Sequence, residues 1–324
     1  KDTIKKISRY LKNGTTIILE STSYPGTTEE EVVNKINKKF NIGNDFFVGF
    51  SSERINPGVN ENKISSIPKV VSGHTKNCLS IISNLYSKIF KKVVKAKTIK
   101  IAEFSKLLEN IYRAVNIGFI NEMKFVADKM NMDIFEILDI ANTKPYGYRR
   151  FNPGPGIGGH CIPIDPHYLY WKARKVGISA NFIKLAAETN LKVINYIKSK
   201  IIKIINKNNL TIKNTRILIL GLAYKKNMDD LRESASLKLI DTLNKNKFKQ
   251  LSYYDPHIKN NFIIKKYSYL NKISKIRSGN LKKFDIVILM TDHDIFDYNA
   301  ILKHSKNIID CRGRFKVTNK IVRA

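Results

Sequence analysis

One thiol stands in the most constrained stretch of this chain. Cys161 lies in FNPGPGIGGHCIPIDP, residues 151–166, which holds four glycines and four prolines. Neither a helix interior nor a central strand tolerates that density. The segment therefore reads as a loop that brings a thiol up to a helix beginning near Pro166. Asp165 is expected at the N-cap, Pro166 at the first helical position, and Gly177 at the helix end. A thiol at the positive end of a helix, with cations nearby, is set up for thiolate chemistry. The same position also suits a small residue packed in a tight loop. Asp165 is either a cap alone or a group with chemistry of its own.

Other candidates fall at strand ends and along one helix stripe. Glu53, in SSER, follows a strand directly, and loops after strand C-termini form the ligand crevice of a parallel sheet. It reads as a general base or as a solvated carboxylate. Ser23 occupies the matching loop after the first strand. Lys106 and Asn110 are spaced i, i+4, on one helix stripe beside an apolar face. The lysine is either an edge residue reaching water or a cation facing a pocket. In GLAYKKNMDDLRESAS, Gly221 ends a buried strand, and Lys225, Lys226 and Arg232 gather before a helix. That suits an anionic ligand such as a nucleotide diphosphate, and equally a solvated basic loop.

Two motif matches do not survive their context. Gly154–Gly159 spells G-x-G-x-x-G, but Asn-Pro precedes it, a proline interrupts it, and Cys-Ile-Pro follows. A dinucleotide fingerprint needs a strand before and a helix after. These glycines instead let a loop approach a ligand or a neighbouring backbone closely. His160, Cys161, Asp165 and His167 match no zinc spacing, so no metal is expected.

The elements that must position these residues follow an α/β, helical, α/β order. Strands are expected at Thr15–Glu20, Phe46–Phe50, KVVSG and KKVVKA. A helix opens with Glu29, Glu30 and Glu31, capped by Thr27 or Thr28, and another covers Thr75–Phe90. Alternating strands and helices imply a parallel sheet. From about Thr98 to Asn208 the pattern is helical, with apolar residues at 101, 104, 107, 108, 111 and 115 on one face. DIFEILDIAN carries a capping-box pattern from Asp133 to Glu136. A long helix follows Ser179. From Thr211 the alternation resumes with RILILG, SASLKLIDTLNK, QLSYYDP, FDIVILMT and, as the last strand, KNIIDCR.

The chain has 324 residues, room for two or three domains, and is 43% hydrophobic. It has no run apolar enough to span a bilayer, so no membrane partner is expected. The net charge of +31 invites a nucleic-acid reading. However, 46 of the 58 basic residues are lysines spread along the whole chain, where arginine would be favoured for phosphate and base readout. No nucleic-acid partner is expected; weak attraction to anionic substrates is the simpler consequence. Three widely spaced cysteines argue against a disulfide scaffold and for a reducing, cytoplasmic setting. The chain opens on Lys1 with a helical stretch under way, so a piece lacking its N-terminal part is expected.

Together these residues resemble the UDP-glucose/GDP-mannose dehydrogenase family over nearly the whole chain. AEFSKLLEN matches its middle-domain signature, PGPGIGGHCIPIDP its catalytic loop, and GLAYKKNMDDLRES with YYDP its nucleotide-binding C-terminal domain. STSYPGTTEE, SSERINPG and PGPGIGGHCIPIDPHYL look most like the UDP-N-acetylhexosamine branch, the UDP-N-acetylglucosamine 6-dehydrogenases in particular. A second family glutamate, four residues after the first, is replaced here by Pro57, so its role does not carry over. Family members begin with a strand and a glycine-rich NAD loop, roughly a hundred residues that have no counterpart here.

The resemblance implies two Rossmann-like parallel-sheet domains, the first incomplete, joined by a central helical domain with a long helix. Residues 1–97 would be the C-terminal part of the NAD-binding domain, 98–208 the dimerisation and catalytic domain, and 209–324 the UDP-sugar-binding domain. It implies two NAD-dependent oxidations of a primary alcohol through a thiohemiacetal and thioester on Cys161. Lys106 would balance oxyanion charge, with Asn110 beside it at the reacting oxygen. Asp165 would work with a water in proton removal, and Glu53 would assist thioester hydrolysis. Ser23, where threonine is usual, and Arg232 would contact NAD. Arg54, Gly158, Tyr224, Lys225 and Arg312 would contact the UDP-sugar, and Arg149 or Arg150 a neighbour's site. A homodimer or higher homo-oligomer is expected. The alternatives are a sister enzyme acting on UDP-glucose or UDP-N-acetylmannosamine, and a non-catalytic nucleotide-sugar-binding remnant.

Overall fold

The computed structural model describes residues 2–36, 39–55, 61–258 and 266–324. Pro57 lies outside them. The chain forms two compact units, one of Lys1–Tyr112 with Ile164–Ala180, the other of Arg113–Pro163 with Asn181–Ala324. Two Rossmann-like sheet regions with a helical segment between them in sequence agree with the expected class. Among the described residues no helix is long and apolar enough to cross a membrane.

The first unit opens with α1 (Asp2–Ile7) and β1 (Thr16–Leu19). A π-helical turn, Thr28–Val33, runs into the short α2 (Asn34–Ile36). Then come β2 (Phe47–Ser51), β3 (Lys69–Gly73), α3 (Lys76–Ser87) and β4 (Val93–Lys95). The sheet order is β1-β2-β3-β4. It departs from an all-parallel sheet at one place, where β3 runs antiparallel to β2, pairing Ser51 with Val71 and Gly49 with Gly73. A parallel return needs a crossover, usually a helix. The described part of the β2–β3 connection carries only a 3-10 segment, Glu61–Ser66. Thr75, where the sequence places the start of this helix, lies just outside α3 and caps it by accepting a hydrogen bond from the Cys78 amide.

The expected threonine cap on the first helix is not made. The Thr27 hydroxyl donates to the Tyr24 carbonyl at 2.6 Å. The orphan amides go instead to a carboxylate far along the chain. Glu103 accepts from the Gly26 amide at 2.5 Å, the Thr28 amide at 2.9 Å and the Thr28 hydroxyl at 2.7 Å. Burial raises the Glu103 carboxyl above its ordinary value despite these bonds.

Glu103 belongs to α4 (Ile99–Lys129), 31 residues long, whose first part lies in the first unit and whose remainder lies in the second. Its apolar stripe divides differently from the sequence expectation. Leu107 and Ile111 are buried, but Ile101, Phe104 and Leu108 are about half exposed. The buried face is partly polar, carrying Glu103, Lys106 and Asn110.

In the second unit α5 (Ile134–Ala141) is capped by Asp133, whose carboxylate accepts from the Phe135 amide. After the loop, the chain passes through α6 (Asp165–Lys175), which belongs to the first unit, to α7 (Asn181–Lys207) in the second. Gly118 of α4 lets α7 pack close; a Cβ there would lie 3.1 Å from the Ala186 α-carbon.

The second sheet has β5 (Arg216–Leu220), β6 (Gln250–Tyr254), β7 (Asn271–Lys272), β8 (Ile286–Leu289), β9 (Ile308–Asp310) and β10 (Ile321–Arg323), in the order β10-β9-β8-β5-β6-β7, all parallel. Helices α8 (Ala235–Lys245), α9 (Ser278–Leu281) and α10 (Tyr298–His304) complete it. Strand alternation divides two cores. Ile217, Ile219, Ile286 and Ile288 pack with α7 and α8, while Leu218, Leu220, Val287 and Leu289 pack with Phe296, Ile301 and Phe315. Both faces are covered, which is why these strands read as unbroken apolar runs. β9 is not the last strand, as the sequence suggested. β10 pairs beside it, and at three residues within a basic stretch it shows no readable alternation.

Replacing Glu103 with alanine strands three buried donors, each worth roughly 1–3 kcal/mol when left unpaired. Urea unfolding of Glu103→Ala is expected to show a loss of at least about 2 kcal/mol, and a smaller loss for Thr28→Val.

Candidate active site

In the first unit the loops after β1 and β2 hold the polar groups foreseen there. The Ser23 and Ser52 hydroxyls and the Arg54 Nε are buried and find no hydrogen-bond partner among the described residues. The remaining Arg54 nitrogens are committed, one to the Pro68 carbonyl at 3.0 Å and one to Glu109 of α4. Glu53 is half exposed. Its Oε1 accepts from the Ile55 amide at 2.6 Å, and its Oε2 lies 3.6 Å from the Lys69 Nζ.

Helix α4 presents Lys106 and Asn110 one turn apart, 8% and 0% exposed. Lys106 is therefore not an edge residue reaching water. Asp165 is 4% exposed and is not the N-cap of α6. That place falls to Ile164, which makes no side-chain cap, and Asp165 sits inside the first turn with Pro166. Its carboxylate is taken by α4 instead, accepting from the Asn110 Nδ2 at 2.5 Å. Gly177 does end α6, at φ +80.

The second unit holds the thiol and its loop. Cys78 and Cys311 are fully buried, and Cys161 is the partly exposed one. Burial pushes the Cys311 thiol up to about 12. Residues 154–159 are neither preceded by a strand nor followed at once by a helix, so the apparent fingerprint is a loop. Its glycines serve close approach. A Cβ on Gly158 would lie 2.6 Å from the Tyr224 Cβ, and one on Gly159 2.9 Å from the Tyr224 ring. Gly159 also has φ +88, and its amide donates to the Arg232 carbonyl at 2.9 Å.

The far end of this loop is held by α4 and α7. The Gly154 amide donates to the Asn121 Oδ1 at 3.0 Å, and the Gly154 carbonyl accepts from the Lys124 Nζ at 3.1 Å. Asn121 in turn donates to Asn190 at 2.9 Å. Arg312 approaches the α-carbon of Gly154, and its Nε donates to the Met290 carbonyl at 2.6 Å. Asp128, one turn further along α4, is bonded to Lys200, and Lys124 itself is 2% exposed. Burial pushes its ammonium down to about 8.

The loop after β5 is wired to the sheet by a buried pair. Asp255 accepts from the Leu222 amide at 2.7 Å and the Ala223 amide at 3.0 Å. His293 Nε2 faces Asp255 at 3.1 Å, and its Nδ1 accepts from the Asn227 amide at 2.9 Å, so the ring carries its proton on Nε2. Burial works to raise the Asp255 carboxyl, but hydrogen bonds from His293, Ala223 and His257 outweigh it and hold it below the usual range. Tyr224 and Lys225 are half-buried on this loop. The Arg232 guanidinium is exposed and clasps Asp230 at 2.7 Å, and Arg150 pairs with Asp139.

The structure thus joins Asn110 to Asp165, places Lys106 on the same helix, and packs Gly158 and Gly159 on Tyr224. It engages Arg54 and Arg232 with carboxylates of their own units. Sequence reasoning missed Glu103, Asn121, Lys124, Lys69 and His293. The signal for three of them was there: 103, 106, 110, 121 and 124 recur at helical spacing as a polar stripe on α4.

Comparison with known proteins agrees with this architecture. The description "UDP-glucose/GDP-mannose dehydrogenase family" matches in three parts, its NAD binding domain over residues 1–90, its central domain over 100–192 and its UDP binding domain over 218–317. The chain is 36% identical to Protein CapL of Staphylococcus aureus, over 95% of this chain and 73% of that one. It is 35% identical to a UDP-N-acetyl-D-glucosamine 6-dehydrogenase of Pseudomonas aeruginosa, over 90% and 68%. Among solved structures, a UDP-D-ManNAc dehydrogenase of Pyrococcus horikoshii superposes with a TM-score of 0.86 at 27% identity, covering 99% of this chain and 75% of that one. The chain belongs to the UDP-glucose/GDP-mannose dehydrogenase family. Its reaction class is NAD-dependent oxidation of a nucleotide sugar at C6. The first unit fits such a cofactor, since the unsatisfied Ser23 and Ser52 hydroxyls lie just beyond the C-terminal ends of β1 and β2.

The depressed Lys124 pKa has a definite sign. An unfolded chain keeps this proton to about pH 10.4, whereas the folded one releases it near 8. The unfolded state binds more protons between these values, so stability rises with pH there, by up to about 1.4 kcal/mol per unit. Denaturation of wild type and Lys124→Met across that window is expected to show the wild type gaining on the variant as pH rises; a flat difference would contradict the burial argument.

Proposed function

We propose that this chain oxidises the C6 alcohol of UDP-N-acetylglucosamine to the uronate through a covalent intermediate on Cys161. The observation that carries this reading is the contrast among its thiols. Two are sealed in cores, while the third stands partly exposed on a loop fixed at Gly154 and packed against Tyr224. When bound, NAD would accept one hydride in each oxidation, so that two NAD molecules are consumed in turn. In this reading residues 1–97 serve the cofactor, 98–208 catalysis and dimerisation, and 209–324 the UDP-sugar. All three thiols are free, in keeping with a reducing cytoplasm.

The side chains divide the work as follows. Asp165, held by Asn110, receives the alcohol proton through a water. The Cys161 thiolate attacks the resulting aldehyde, and the Lys106 ammonium balances the negative charge on oxygen. After the second oxidation the sugar is held as a thioester. Glu53 assists a water in its hydrolysis, which frees the carboxylate and restores the thiolate. Ser23 and Arg232 contact the cofactor. Gly158, Tyr224, Lys225, Arg312 and Arg54 contact the UDP-sugar. The exposed side of α4, with Ile101, Phe104, Leu108 and Phe119, fits a second copy of the chain, since such a stripe is costly in water.

UDP-N-acetylmannosamine is the second reading, supported by the likeness to the Pyrococcus enzyme. The test is NADH formation by the complete enzyme with UDP-N-acetylglucosamine, UDP-N-acetylmannosamine and UDP-glucose. Two NADH per UDP-N-acetylglucosamine are expected. No turnover of any of the three would leave only a binding protein. Cys161→Ser is expected to abolish acid formation while retaining slow alcohol oxidation; full acid production by that variant would refute the covalent route.

A further inference from the structure

We propose that Lys69 is a positioning residue of the active site, its buried ammonium fixing the Glu53 carboxylate beside the end of β2 for the hydrolytic half of the reaction. The inference rests on the reading of Glu53 as the group that assists hydrolysis. Lys69 is 4% exposed, yet it lies on a strand with no carboxylate of its own. Its Nζ lies 2.8 Å from Glu20 Oε1 and 3.6 Å from Glu53 Oε2, bridging the residues that follow β1 and β2. The rings of Tyr86 and Phe90 close around it, with the Nζ 5.0 Å and 5.4 Å from their centroids. Tyr86 also donates to Glu20 Oε1 at 2.6 Å.

Strand direction explains why this lysine is here. β3 pairs antiparallel with β2, with Ser51 opposite Val71. Two residues further along that register, Glu53 falls opposite Lys69. A parallel β3 would have put its first residue at the other end of the sheet. Glu53 then has both oxygens assigned, one to Lys69 and one to the Ile55 amide. Glu20 is the firmer partner. Burial would raise its carboxyl, but the hydrogen bonds from Lys69 and Tyr86 outweigh that and hold it below the ordinary value. Glu20 thus anchors the ammonium, and the ammonium orients Glu53. A displacement of about 1 Å at a reacting group costs roughly a hundred-fold in rate.

The experiment separates the oxidative and hydrolytic halves in the complete enzyme. Lys69→Met, Lys69→Arg and Glu53→Gln are each mixed rapidly with NAD and UDP-N-acetylglucosamine, or with whichever UDP-sugar turns over. NADH and the covalent thioester on Cys161, detected by intact mass, are followed in time. Lys69→Met is expected to keep the NADH burst and the KM for the sugar, to accumulate thioester, and to release acid roughly ten- to hundred-fold more slowly. Lys69→Arg is expected to restore most of the release rate. Loss of the burst itself, or a raised KM without thioester, would show a merely structural lysine and overturn the proposal. If Glu53→Gln accumulates thioester and Lys69→Met does not, Lys69 is excluded while Glu53 keeps its role. If Glu53→Gln accumulates none, the reading of Glu53 falls and takes the proposal with it. Should Lys69→Met not fold, Lys69→Gln removes the charge while remaining polar and is read by the same criteria.

Discussion

A polar side chain removed from water must find a partner, and one helix concentrates that demand. The buried face of α4 carries Glu103, Lys106, Asn110, Asn121 and Lys124. Leaving such groups unpaired would cost more than most single apolar contacts return. Partners come from other segments of the chain. Glu103 takes the Gly26 and Thr28 amides where the π-helical turn starts, Asn110 takes Asp165, and Asn121 and Lys124 take the two backbone groups of Gly154. In the first unit this fixes the β1 loop and the start of α6, and in the second it fixes the start of the thiol loop. Loops rich in glycine and proline have little regular hydrogen bonding of their own. Here their shape is borrowed from a helix.

The second constraint is strand direction. A doubly wound sheet gathers ligand groups at the C-terminal ends of its parallel strands. The reversed β3 adds something such a sheet cannot supply from strand C-termini alone, a residue from the start of a strand at that same edge. Glu20, Glu53 and Lys69 come from three different strand ends and form one charged group. The second sheet meets a comparable need differently. All its strands are parallel, and its loop after β5 is held by side chains from neighbouring strand ends, Asp255 and His293.

Much of this was legible in the residues. The α/β, helical, α/β order followed from periodicity, and the apolar runs at RILIL and DIVIL found their strands because both faces of that sheet are covered. The loop character of residues 154–159 followed from its prolines. What could not be read was set by distant partners. Thr27 and Asp165 both look like helix caps, because local sequence shows which residue can cap and not which acceptor wins. A carboxylate 75 residues beyond Thr28 displaced the first, and an asparagine 55 residues away claimed the second. Strand direction was equally hidden, since alternation is the same for either sense. The half-exposed stripe at Ile101, Phe104 and Leu108 looked like a core face because periodicity reports amphipathy, not which side is covered.

The sealing of Cys78 and Cys311 has a consequence for how the protein ages. A thiol shut in a core, out of reach of solutes, reacts slowly with peroxide or electrophiles. Oxidative damage to cysteine in this chain therefore has a single address. The first lesion is not a gradual loosening of either core but the silencing of one loop, leaving a folded molecule that looks intact by every measure of stability.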